Sequence, residues 1–284
     1  LLEGLMVVAV GERAMGYVNK VLGPGSFMLL AVTAILYFFV KKTGFTIRFR
    51  FKDGTFFYFL KRKSRGFASK YGELGIYLIA GFSTIAIFST LFFKLSCEVL
   101  EREMEWLDIG IITYIGKSRP WFLNIATYIF DKMQQPAFFT ALVILYLVYN
   151  KLFFRKNIYP IMAFITFAGS FLLQWGFKFF YKVPRISPEV NSWSLTTFIY
   201  SFPSGFIAIF TALMGYTVFL LLQKKDKLRS FFIAGLFFFI MFVAGISRIH
   251  AEISYPSDVL AGFLLGGLWV AACIVATKAL EHYN

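Results

Sequence analysis

The 284-residue chain is 58% hydrophobic and 20% aromatic, and its mean hydropathy of +0.69 excludes an ordinary water-soluble domain of this length. Lys and Arg number 29 against 15 Asp and Glu, a formal charge of +14. In a chain whose apolar runs approach the ~20 residues that cross a bilayer, such an excess reads as cytoplasmic loops and excludes nucleic acid as the expected partner. Cys97 and Cys273 lie far apart, Cys273 inside an apolar run, which argues against a disulfide framework. The chain begins at Leu1 and not at Met, so residues are expected to precede it.

Seven apolar stretches, bounded by charge or by Pro and Gly, read as membrane spans. In chain order they are Leu22–Val40, Ile76–Phe93, Pro136–Phe154, Ile158–Phe180, Ser204–Leu222, Phe231–Ile249 and Val259–Thr277. Between the first two, Phe45–Leu60 alternates apolar and basic residues before Asp53-Gly54 and reads as a short hairpin in a basic loop running from Lys41 to Lys70. That loop suits anionic headgroups better than a dedicated partner. Met104–Lys132 carries Trp106, Leu107, Ile109, Ile111, Ile112 and Ile115 at helical spacing among charges, and is expected to lie as a helix in the outer interface of the membrane.

Loop charge alternates. Lys41–Lys70, then Lys151, Arg155 and Lys156, then Lys224, Lys225, Lys227 and Arg229, and finally Lys278 are basic, whereas Glu98, Glu101, Glu103, Glu105 and Asp108 follow the second span. The positive-inside rule places every basic loop in the cytoplasm and the opposite loops, with the N-terminus, outside.

Three motifs fall at the expected outer ends of four spans. Lys178 is followed after six residues by Arg185, a point charge and a planar fork of donors suited to a phosphate dianion. Each also suits a plain headgroup anchor at a span end. Pro203-Ser204-Gly205-Phe206 opens a helix, and a helix N-terminus with free N–H groups is an anion site, although Pro, Ser and Gly are common at any helix start. Ser247-Arg248 adds a second guanidinium. Asp258 opens the last span, where a carboxylate can cap a helix.

In order and spacing these segments resemble the three signatures of the type 2 phosphatidic acid phosphatase and vanadium haloperoxidase superfamily, in its membrane lipid phosphatase branch. The resemblance implies an all-α polytopic membrane bundle of about seven spans, six of them in a phosphatase-like core over residues 75–284. Residues 1–74 form an N-terminal extension with one span and the basic loop. It implies that Lys178, Arg185, Ser204, Gly205 and Arg248 bind phosphate, and that no metal or other cofactor is needed. It also exposes two departures. The nucleophilic histidine of the third signature falls on Ser254, and the acid histidine of the second falls on Phe206. Asp258, which in the family orients the nucleophilic histidine, loses that partner, and helix capping becomes its better role. A smaller departure is Ile186, where proline is usual.

The chain has two histidines, His250 and His282. His282 falls in the tail on the expected inner side. His250 lies four residues before Ser254 and would sit about one turn away if the helix continued, a displacement of ~5–6 Å where reacting atoms need ~3–3.5 Å. Ser254 would itself need a base, and Asp258 among cations is a weak one. The leading expectation is therefore a multi-pass protein of the cell membrane that binds a lipid phosphate on the extracytoplasmic side with little or no turnover. The candidate ligands are phosphatidic acid, phosphatidylglycerol phosphate or a polyprenyl phosphate. The alternatives are an active phosphatase using His250 or Ser254, and a structural or transport-associated protein with a remnant pocket. Vanadate chemistry is disfavoured because it requires the histidine that Ser254 replaces.

Overall fold

A computed structural model describes residues 73–118, 120–153, 158–184, 200–223 and 227–283. The first expected span, the basic hairpin and Arg185 lie outside the described residues. Among the described residues the chain is entirely helical: α1 (Glu73–Leu100), α2 (Glu105–Ser118), α3 (Trp121–Gln134), α4 (Pro136–Phe153), α5 (Ile158–Tyr181), α6 (Gly205–Leu222), α7 (Lys227–His250) and α8 (Pro256–Tyr283). Five of them, α1, α5, α6, α7 and α8, are long and apolar enough to cross a membrane, and α4 is a shorter apolar helix. Both cysteines are free.

The segment Met104–Lys132, expected as one interfacial helix, is two. Pro120 has no N–H to donate and disfavours helix in the residue before it, so α2 ends at Ser118 and α3 begins after an extended Pro120 (φ −66°, ψ 140°).

α8 is the central helix, packed most extensively against α1 and α6. Its apolar residues run all round the helix, and most of them are buried, as are those of α6. Between lipid-facing helices packing and not water exclusion holds the contact, so small residues let backbones approach. Gly262 and Gly266, one turn apart on α8, meet α6 in this way. A Cβ at Gly262 would stand 2.8 Å from the Ser204 carbonyl oxygen, and one at Gly266 would collide with the Ala208 carbonyl. By contrast α7 exposes Phe231, Phe232, Phe238, Phe239 and Phe242, an outward face that only an apolar solvent accommodates.

The end of α5, the start of α6, the end of α7 and the start of α8 meet at one end of the bundle. The Ser204 amide donates to the Asp258 carbonyl (3.0 Å), tying the beginnings of α6 and α8 together.

Candidate functional site

The start of α6 is set by Pro203, which follows Phe202 through a cis peptide bond, and by Ser204, whose extended backbone (φ −64°, ψ 105°) marks the N-cap. A serine at this position ordinarily lends its oxygen to an amide of the first turn. Here the Ser204 hydroxyl instead faces the Ser254 hydroxyl at 3.4 Å, both residues being buried. Two of the residues expected in one site therefore do meet, across 50 positions of sequence. Phe206, one residue into the helix, turns away into an apolar cluster with Phe130, Ile207, Phe210, Met241 and Val259. Its ring stacks on Phe210 (5.4 Å between centroids) and meets Phe130 edge-on (6.0 Å). The Arg248 guanidinium carbon lies 5.9 Å from the same ring centre, a cation–π distance.

Beyond Arg248 the chain reverses. Ile253 N–H reaches back to the Arg248 carbonyl (3.2 Å) and Glu252 N–H to the Ile249 carbonyl (3.0 Å), while Glu252 takes a left-handed φ of 56°. This is the double closure that ends helices at a left-handed residue. His250 and Ser254 therefore do not share a continuing helical face. The His250 imidazole Nε2 instead pairs with the Asn124 side-chain oxygen on α3 at 2.8 Å.

α8 starts at Pro256, whose missing N–H is no loss in the first turn. Asp258 Oδ2 accepts from the Tyr255 amide (3.0 Å), the backward half of a capping box. The Ser257 amide and hydroxyl both donate to a residue of α2: Asp108 accepts them on separate oxygens at 2.9 and 2.7 Å. Burial pushes the Asp108 carboxyl above its ordinary pKa, against the pull of the two Ser257 hydrogen bonds. Asp258 is thus a helix cap, and Asp108 is a second cap supplied from elsewhere in the chain.

Lys178, in the last turn of α5, is buried and donates to the carbonyl oxygens of Tyr200 (2.8 Å) and Ser201 (3.1 Å). It anchors the strand-like approach to α6, which Ser201 also holds through its amide to the Val183 carbonyl (2.9 Å). The Lys178 charge also acts on Asp258. Arg248 is likewise buried, and its Nη1 donates to Asp131 Oδ1 of α3 at 3.1 Å, where the Asp131 side chain is 45% exposed. Burial raises the Asp131 carboxyl above its ordinary pKa, and the Arg248 charge pulls it back down.

The structure gathers Lys178, Ser204, Gly205, Arg248, Ser254 and Asp258 at one end of the bundle, and sets Phe206 and His250 into contacts with α3. A basic site is expected there from the motifs, but α2 and α3 add Asp108, Asn124 and Asp131, and with Asp258 the two described cations stand among three carboxylates. The available signal was helical spacing. Asn124, Thr127 and Asp131 are polar at i, i+3 and i+7 and so form one stripe along α3.

Comparison with known families matches residues 113–281 to the PAP2 superfamily. Among solved structures the chain is similar to the first transmembrane PAP2 type phosphatidylglycerolphosphate phosphatase from Bacillus subtilis. The TM-score is 0.56 at 20% sequence identity, over 66% of this chain and 92% of that one. No curated protein matches. The likeness to the Bacillus structure is one of fold.

Proposed function

Since the chain belongs to the PAP2 superfamily, we propose that it binds the phosphate of a membrane lipid at the end of the bundle that holds Ser204 and Arg248, with little or no phosphatase turnover. The observation that carries this reading is what occupies the two reactive positions. Phe206 is packed among apolar side chains, and Ser254 presents only a hydroxyl, 3.4 Å from another hydroxyl. Phosphoryl transfer through a covalent intermediate needs a strong nucleophile and an acid for the leaving oxygen. Loss of the acid alone typically costs ~10²–10⁴-fold, and loss of a nucleophile commonly costs more.

Binding draws on what remains: the N-terminal turn of α6 with its unpaired amides, the Lys178 ammonium and the Arg248 guanidinium, together with Arg185. A lipid phosphate is the ligand class favoured by the family and by the fold shared with the Bacillus phosphatase. The charge alternation of the loops supports an extracytoplasmic site, with Lys151, Lys225 and Lys278 on the cytoplasmic side. Two geometric facts weigh against catalysis by His250: its ring pairs with Asn124, and the chain reverses before Ser254. Asp258 Oδ2 is engaged in holding the start of α8, where it accepts from the Tyr255 amide.

The test is phosphate release from a panel of lipid phosphates by the purified chain, beside a Phe206→His plus Ser254→His double variant. An inert parent and a double variant that gains activity support a binder on a phosphatase frame. Turnover by the parent that His250→Ala abolishes refutes it.

A further inference from the structure

The contacts between α3 and the end of α7 form a short polar zipper. Asn124, Thr127 and Asp131 project from one face of α3 to the His250 ring (2.8 Å), the Ser247 carbonyl (3.4 Å) and the Arg248 guanidinium (3.1 Å). The Arg248–Asp131 pair is lopsided, with the guanidinium side chain 5% exposed and the carboxylate side chain 45% exposed. Of the two groups the carboxylate is the one within reach of solvent, so an anion that engages Arg248 Nη1 competes with that carboxylate.

Displacement sorts anions by charge. A phosphodiester headgroup carries one negative charge, the same as the carboxylate it would replace, and gains little by the exchange. A phosphomonoester carries about −1.5 to −2 at neutral pH and offers three terminal oxygens. A bilayer surface holds many diester headgroups, and a buried guanidinium without its own counter-ion would take any of them. We infer that Asp131 is a specificity-determining residue of this site: it keeps phosphodiester headgroups off Arg248 and yields only to a phosphomonoester. Discrimination by a competing internal group is specificity through a penalty on the wrong ligand. The inference rests on the lipid-phosphate reading above and adds to it the group that sets the headgroup class.

The experiment titrates the purified full chain, in neutral phosphatidylcholine nanodiscs, with short-chain phosphatidic acid and short-chain phosphatidylglycerol. It compares the parent with Asp131→Asn, Asp131→Glu and Arg248→Ala. The parent prefers phosphatidic acid. Asp131→Asn gains affinity for phosphatidylglycerol and lowers the preference roughly fivefold or more, while its thermal stability falls. Asp131→Glu keeps the parental preference. A purely structural Asp131 would lower stability and affinity together.

If Arg248→Ala abolishes phosphatidic acid binding but Asp131→Asn leaves the preference unchanged, the role of Asp131 is overturned and the binding reading stands. A parent that binds neither lipid, or binds equally well after Arg248→Ala, overturns the binding reading and this inference with it. Hydrogen exchange on the unaltered parent gives a measurement that needs no variant to fold. Phosphatidic acid should speed exchange in residues 121–134 and phosphatidylglycerol should not, whereas protection there by phosphatidic acid overturns the displacement.

Discussion

Asp108→Ala removes the two carboxylate oxygens that accept from Ser257 at the start of the central helix. Ser257 is almost fully buried, and its amide, in the first turn of α8, has no partner within the helix. The variant strands that amide and the Ser257 hydroxyl, which now donate to Asp108 at 2.9 and 2.7 Å. Loss of a helix cap costs about 1 kcal/mol, and a buried donor left without an acceptor about 1–3 kcal/mol. Relief from burying a carboxylate offsets part of this, so a net loss of roughly 2–3 kcal/mol is expected near neutral pH. Asp108→Asn keeps one acceptor oxygen and should lose about half as much.

The pH dependence gives a sharper check. Burial holds the native Asp108 pKa above its ordinary 3.8, so on acidification the folded state takes up this proton before the unfolded state does. The stability this group contributes through titration is fully present below the unfolded pKa and is lost as pH rises through the raised native pKa. The gap between parent and Asp108→Ala should therefore widen as pH falls toward about 4. Equilibrium unfolding in mixed detergent micelles, followed by helical circular dichroism, measures both effects. A gap under about 0.5 kcal/mol at neutral pH, or one that grows as pH rises, would refute the reasoning.

Other substitutions probe the packing that positions the site. Gly266→Ala drives a methyl group into the Ala208 carbonyl and the Thr211 side chain and should cost about 1–3 kcal/mol, whereas Gly110→Ala on α2, with open space around it, should be neutral or slightly stabilising in the same unfolding assay. Gly262→Ala pushes against the Ser204 carbonyl and should weaken lipid-phosphate binding as well as stability, which separates it from Gly266→Ala in a titration. Tyr216→Phe breaks the 3.2 Å contact with the Thr277 hydroxyl, but Thr277 still donates to the Cys273 carbonyl at 2.7 Å, so only about 0.5 kcal/mol should be lost.

The helices were legible in the sequence because the cue for them is local. An apolar run bounded by charge or proline needs no knowledge of its neighbours, and the expected spans Ile158–Phe180 and Ser204–Leu222 differ by single residues from α5 and α6. Local spacing likewise put the three motifs in order, and the family resemblance built on them places Ser254 and Phe206 where histidines are expected. The capping role of Asp258 followed from its place at the start of a span, and its bond to the Tyr255 amide is a contact three residues long.

What the sequence could not determine were the partners of the charged groups. Asp108 reaches Ser257 across 149 positions, Asp131 reaches Arg248 across 117, and Asn124 reaches His250 across 126. From hydropathy and loop charge the stretch Met104–Lys132 is expected at the interface on the motif-bearing side, but neither says which side chains it meets there. Once Pro120 splits that stretch, α2 and α3 dock separately and each brings a carboxylate to the motif-bearing end. The motif residues alone read as a cationic phosphate grip. Tertiary packing decides that α3 supplies the Arg248 guanidinium with a carboxylate, because a buried charge requires a counter-charge and only the fold sets which one is near.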